Sequence, residues 1–244
     1  MKKIMILLGI AVSLTAVHIV FAQVNEGVIT YTVKVNMHRT LPPDRQEMRN
    51  MVPEFRTTKD QLVFNATESL YKPLPEEDED FDDGNGVQIR MRVPQNEVYV
   101  DQANSKRILL NEFMGKKYLI EDSLKLTPWK FGTETKAIKG YDCKQASFYN
   151  EERKQNVVAW YTDKLRPFLG PENFNTLPGA VLEVDINNGE RVISVLSIEQ
   201  RPLKKSELKM PTSGTKTTEA EYRKLVNEQM ERMRANGANV IIRN

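Results

Sequence analysis

A mainly β fold is predicted: a curved antiparallel sheet or half-barrel, with one short helix and an amphipathic helix at the C-terminal end. Three observations predict it. Short runs in which apolar and polar residues alternate recur from Gly27 to Glu199, the period of a half-buried strand. Turn-forming residues such as Gly115, Gly140 and Asn188-Gly189 separate these runs, so neighbouring strands can fold back on one another. No long helical spacing comes between the strands, which argues against a parallel α/β arrangement.

The elements follow in order. Gly27 to Met37 sets Ile29, Tyr31, Val33, Val35 and Met37 on one face and Thr30, Thr32, Lys34 and Asn36 on the other. Leu41-Pro42-Pro43 ends that strand. Asp44 to Met51 reads as a short helix stopped before Pro53. Gln61 to Asn65 is a short strand. Glu76 to Gly86 is an acidic loop without apolar periodicity. Val87 to Val93 and Glu97 to Asp101 alternate again. Lys106 to Asn111 and Lys117 to Glu121 form a hairpin about Met114-Gly115, and Trp129-Lys130-Phe131 is a short aromatic strand. Tyr141 to Phe148 pairs with Val157 to Thr162. Val181 to Ile186 pairs with Arg191 to Glu199 across Asn187-Asn188-Gly189-Glu190. Between these two pairs, Asp163 to Gly179 is a long ordered turn, with Gly170-Pro171 and Pro178-Gly179 fixing the backbone and Leu169, Phe174 and Leu177 supplying apolar contacts. Gly179 resists a β-branched replacement if its φ is positive. Pro202 to Lys216 is a basic linker. Thr218 and Glu221 form a capping box, and Tyr222, Leu225, Val226, Met230 and Met233 mark one face of a helix that Gly237 can stop.

The N-terminus sets the expected compartment. Lys2-Lys3, the apolar run Ile4 to Val20 and the small-x-small site Val20-Phe21-Ala22 read as a secretory signal peptide cleaved after Ala22, the alternative being an uncleaved membrane anchor. The divisions are then 1–22 as signal, 23–201 as the β-rich domain and 202–244 as linker and helix. The net charge of +2 falls to about zero without Lys2 and Lys3, which excludes nucleic acid as a partner on charge grounds. A single cysteine, Cys143, allows no internal disulfide.

Few chemistries are available. Of the two histidines, His18 lies in the signal, so a Ser-His-acid or Cys-His set must use His38, at the end of an edge-like strand with no nucleophile motif near it. No pair of carboxylates is singled out by spacing and no glycine-rich phosphate loop follows a strand, so no catalytic residue and no cofactor are expected. The acidic loop offers Asp78, Asp80 and Asp82 to a hard cation such as Ca²⁺, but counting from Asp78, Gly84 falls at the seventh position and not the sixth, and Ile89 stands at the twelfth, where an EF-hand needs Glu. Cys143 is a soft ligand for Cu(I) or else a buried strand residue. Trp129, Trp160, Tyr161 and Phe174 either line a ligand groove or pack in the core, with the core favoured for Trp160. The terminal helix either packs on its own sheet or enters a partner's groove.

Several residues together carry a family resemblance. They are Thr176-Leu177-Pro178-Gly179-Ala180-Val181, Glu134-Thr135-Lys136-x-Ile138-x-Gly140-Tyr141-x-Cys143, Ala159-Trp160-Tyr161-Thr162 and Gly170-Pro171-x-x-Phe174, with Trp129 ahead of them. The chain resembles the GLPGLI family of exported Bacteroidetes proteins over essentially all of its mature length. The name-giving motif is degenerate at its edges and intact at Leu177-Pro178-Gly179. The resemblance implies a periplasmic or outer-membrane-associated protein with a half-barrel like that of lipoprotein carriers, and a setting near TonB-dependent outer-membrane transporters. It brings no established activity. Function is therefore expected to be non-enzymatic: a binding or accessory protein that holds a lipid or other apolar ligand on a concave sheet. The alternatives are contact with a transporter through the terminal helix, and metal handling by the acidic loop or Cys143.

Overall fold

The computed structural model describes residues 25–41, 46, 49–50, 52–75, 80–82, 88–90 and 95–235. The proposed signal peptide, Asp78 and most of the helix expected over 44–51 lie outside them. The elements are β1 (Gly27–Asn36), a single helical turn α1 (Met37–Thr40), β2 (Phe55–Phe64), β3 (Glu68–Pro73), β4 (Asp80–Asp82), β5 (Gln88–Arg90), β6 (Glu97–Asp101), β7 (Lys106–Phe113), β8 (Lys116–Ser123), β9 (Lys130–Ile138), β10 (Tyr141–Asn150), β11 (Gln155–Thr162), β12 (Ala180–Ile186), β13 (Arg191–Gln200), β14 (Thr215–Thr217) and α2 (Glu219–Ala235).

Twelve strands make one open, curved sheet in the order β14-β8-β7-β6-β3-β2-β1-β13-β12-β11-β10-β9. Neighbours run antiparallel except β14, which lies parallel to β8. β1 is central: Tyr31 lies opposite Asp60 of β2 on one side and Val195 of β13 on the other. His38 therefore follows a central strand and not an edge, and its Nε2 lies 3.0 Å from the carbonyl oxygen of Val52.

The curvature follows from where the apolar residues sit. One core cluster takes Ile29, Tyr31, Leu62, Tyr71, Val98, Leu109, Ile120, Ala146, Ala159 and Ile193 from nine strands of the same sheet. Side chains so far apart along the strand order meet only if the sheet bends around them. Irregularities at Thr30/Tyr31, Lys144/Ala146 and Trp160/Tyr161 supply part of the bend. The Tyr31 hydroxyl crosses the interior to donate to the carbonyl of Val181 at 2.7 Å. A smaller cluster of Leu70, Tyr99, Ile108, Leu110 and Leu119 occupies the outer face of β3, β6, β7 and β8. The stretch expected as a basic linker lies against that face, with Leu208 packed on the cluster and Pro211 buried.

The turns match their residues. Met114-Gly115, Lys139-Gly140 and Asn187-Asn188-Gly189 all carry positive φ, as hairpin turns require. Two strands are longer than the expected ones. β2 starts at Phe55 and not Gln61, because its inward positions include Thr58 and Asp60, both buried. β9 runs on to Ile138, as an exposed edge that needs no apolar alternation. Part of the acidic stretch is a strand as well: Asp80–Asp82 pairs with Gln88–Arg90.

Candidate functional site

Residues 163–179 cross the inner face of the sheet. The loop is built to be buried there. Leu169 and Leu177 are fully buried and Leu165 nearly so, all three within the main core cluster. Its backbone groups are satisfied locally: Phe168 N donates to Leu177 O, Phe174 N to Pro171 O and Val181 N to Leu169 O. Gly170 and Gly179 are required by close approach, not by φ. A β-carbon at Gly170 would lie 2.1 Å from Phe174 O, and one at Gly179 would lie 2.1 Å from Thr162 O. This corrects the expectation of a positive φ at Gly179, which is not among the positive-φ glycines. Two other loop residues, Phe168 (φ 58°) and Glu172 (φ 51°), do take the left-handed conformation, at a cost.

Three arginines clasp the loop to the sheet. Arg166 donates to Glu68 O at 2.8 Å and to Gln102 Oε1 at 3.2 Å, with its guanidinium 5.9 Å from the centre of the Phe64 ring. Burial holds that guanidinium down at about 10. Arg107 of β7 reaches Asn173 at 3.3 Å, and also Asp122 and Glu219. Arg191 of β13 grips Glu172 with both terminal nitrogens, one of them 2.9 Å from Glu172 Oε2. Burial works against the Arg191 charge, but Glu172 outweighs it and raises the group above its ordinary value. All three Nε atoms are buried without a hydrogen-bond partner.

Beside the Arg191–Glu172 pair, the Tyr71 hydroxyl donates to Asp60 Oδ2 at 2.5 Å. Burial, then the charges of Glu172 and Asp60, hold Tyr71 well above the usual phenol range. It therefore stays a neutral donor. Asp60, Tyr71, Glu172 and Arg191 of the inner face are thus engaged with one another. Sequence reading missed this set. The available signal was Asp60, which has the same parity as Leu62 and Phe64 and so had to face inward.

The aromatic set does not line one groove. Trp129 and Phe174 come together through Phe148, whose ring centre lies 4.7 Å from Trp129 and 6.4 Å from Phe174. Trp129 Nε1 donates to Thr176 Oγ1 at 3.0 Å, which ties the start of β9 to the loop. Trp160 and Tyr161 are successive residues of β11 and project to opposite faces. Tyr161 is buried and touches Phe131 edge-on. Trp160 is partly buried, packed on the core and with Lys136 Nζ 4.3 Å from its ring centre. Among the family-like loop residues, Pro171 is buried and Pro178 exposed.

Cys143 is fully buried, and burial pushes its thiol up to about 11. That is the opposite of an activated thiolate. Among the described residues no group of three or more His, Cys, Asp or Glu side chains is placed to hold a metal ion. Asp80 and Asp82 lie in β4, with side chains outside the described set. The terminal helix packs on its own domain by its first turns: Val226 is buried, the ring centres of Tyr222 and Tyr118 lie 5.3 Å apart, and Glu219 meets Arg107 and Lys125. Its capping box forms in both directions, Thr218 N to Glu221 Oε2 and Glu221 N to Thr218 Oγ1.

A family model described as N-glycanase peptide, N-terminal domain, matches residues 84–224. Two solved structures of PNGF-II share the fold, with TM-scores of 0.56 and 0.55 at 15% and 16% identity. They match 84% and 83% of this chain and 34% and 33% of their own, so the chain spans about a third of the length of PNGF-II. No curated protein sequence matches it.

Proposed function

Because the chain belongs to the N-glycanase peptide N-terminal domain family, we propose that it is a non-catalytic accessory domain, exported from the cytoplasm, that engages glycan-bearing protein through its outer surface. The observation that carries this reading is the occupied inner face. Leu165, Leu169 and Leu177 take the space in which an apolar ligand would lie, and Asp60, Tyr71, Glu172 and Arg191 are engaged with one another. A bound lipid would have to displace the loop. The glycan part rests on the family description and on the likeness to PNGF-II. A position at the outer-membrane periphery, near a TonB-dependent transporter, belongs to the same proposal and is supported by the GLPGLI resemblance.

The test uses the purified mature chain. A denatured N-glycosylated protein incubated with it should keep its glycans. An immobilised N-glycoprotein should retain the chain more strongly than the same protein after deglycosylation. Glycan release that tracks with the chain and disappears in Asp60→Asn or Glu172→Gln would make it an enzyme. Equal retention on the two columns would remove the glycan from the proposal.

A further inference from the structure

The two edges of the sheet differ. One is covered by β14, which pairs with Tyr118 to Ile120 of β8 and leads into α2. The other is β9, nine residues long and exposed over most of its length. Among the described residues β9 pairs only with β10. Such an edge offers a row of free N–H and C=O groups.

The direction of those groups follows from the hairpin. Ile138 and Tyr141 flank the two-residue turn Lys139-Gly140, which has φ of 51° and 82°. In that turn the flanking pair exchanges both hydrogen bonds, and the pattern then alternates along the ladder. Lys136 therefore bonds inward to Cys143, while Thr135 and Ala137 turn their N–H and C=O groups outward.

We propose that β9 is a self-recognition edge, at which a second copy of this chain pairs antiparallel across a two-fold axis at Thr135. The side chains select that register. Glu134 and Lys136 share one face of β9, for Glu134 accepts from Gln145 while Lys136 lies opposite Cys143. Centring the pair on Thr135 sets Glu134 of each copy against Lys136 of the other, twice over. It also brings Phe131, 61% exposed, beside Lys139 of the second copy. Centring on Glu134 sets that carboxylate against its own copy, and centring on Lys136 does the same to the ammonium; like charges directly opposite are unfavourable. Registers centred between residues bring outward groups against inward ones. The charges that protect this edge from foreign strands are thus complementary to themselves in one alignment.

Analytical ultracentrifugation of the mature chain tests this. The wild type should show a concentration-dependent dimer. Glu134→Lys replaces both attractive pairs by Lys-Lys contacts and should raise the dimer dissociation constant about tenfold or more. Lys136→Glu should do the same. An equimolar mixture of the two variants restores opposite charges at both positions and should form a heterodimer as tight as the wild-type dimer. Lys136→Glu also loses its partner Glu183, so a third variant guards against misfolding: Thr135→Cys places a thiol on the two-fold axis and should oxidise to a covalent dimer, the native Cys143 being buried. A monomeric mass at every concentration, a dimer indifferent to Glu134→Lys, or Thr135→Cys failing to cross-link would each overturn the proposal.

Discussion

Replacing Gly179 by alanine isolates what the loop needs from its glycine. The added β-carbon would lie 2.1 Å from Thr162 O, 2.7 Å from Thr162 C and 3.1 Å from Tyr161 Cδ2. β-Carbons do not come within 3.0 Å of such neighbours, so the end of β11 or the start of β12 must retreat by about 1 Å, a rigid contact with little room to relax. Thr162 is fully buried and lies opposite Ala180, where the β11–β12 ladder begins. Overpacking of this kind costs about 3 kcal/mol, which for a domain of this size lowers the melting temperature by about 6–12 °C. Gly115 gives the contrast. It has φ of 74° and nothing within 4 Å of a β-carbon, so Gly115→Ala meets only the backbone strain of a β-carbon at positive φ, about 1 kcal/mol and about 2–4 °C. Urea and thermal unfolding of both variants decide the matter. If Gly179→Ala melts with the wild type, or no lower than Gly115→Ala, close approach is not the reason for the glycine.

The Arg191–Glu172 clasp should couple strongly: Glu172→Gln and Arg191→Met each destabilise by about 2 kcal/mol, and the double variant by less than their sum, read from a double-mutant cycle in urea. Cys143 should titrate at about 11 when folded and near 9 when unfolded; the raised folded value means its stabilisation is complete below pH 9 and lost as pH rises through 11. The wild type should therefore lose more stability than Cys143→Ala between pH 9 and 11, and parallel curves would contradict this. The native thiol should also resist a thiol reagent at neutral pH and react at once in denaturant. Thr218→Ala removes one half of the capping box and should cost about 1 kcal/mol, seen as earlier hydrogen exchange in α2 without loss of the sheet.

Much of the sheet was legible because its strands obey a simple rule. β1 shows Ile29, Tyr31, Val33 and Val35 inward at every second position, and all are buried. The rule fails where the interior is polar or where there is no interior. Thr58 and Asp60 face inward in β2 because Tyr71 and its neighbours satisfy the carboxylate, and no pattern of hydropathy announces that. β9 is itself exposed over most of its length, so nothing constrains Thr133, Glu134 and Thr135 to alternate. The loop was legible in kind: Leu169 and Leu177 are buried as their surroundings of glycine and proline suggest. Its place on the inner face was not, because Arg166 finds Glu68 and Gln102 far away in the chain. Within the candidate aromatic set, Trp160 and Tyr161 are adjacent strand residues and so project to opposite faces of the sheet.

The central position of β1 sets the order in which this molecule can be assembled. β2 is available to it at once, but β13 pairs with it from the far end of the domain, and the Tyr31 hydroxyl finds its acceptor 150 residues away. A chain emerging N-terminus first must keep Ile29, Tyr31 and Val33 half-covered until residues 191–200 arrive. Contacts so distant in sequence make for slow folding and a long-lived sticky intermediate. Under the proposed export, such a delay would keep the chain unfolded until it had crossed the membrane. Truncated forms ending before Arg191 should stay soluble only in the company of a holdase, and the full chain should fold in one late step.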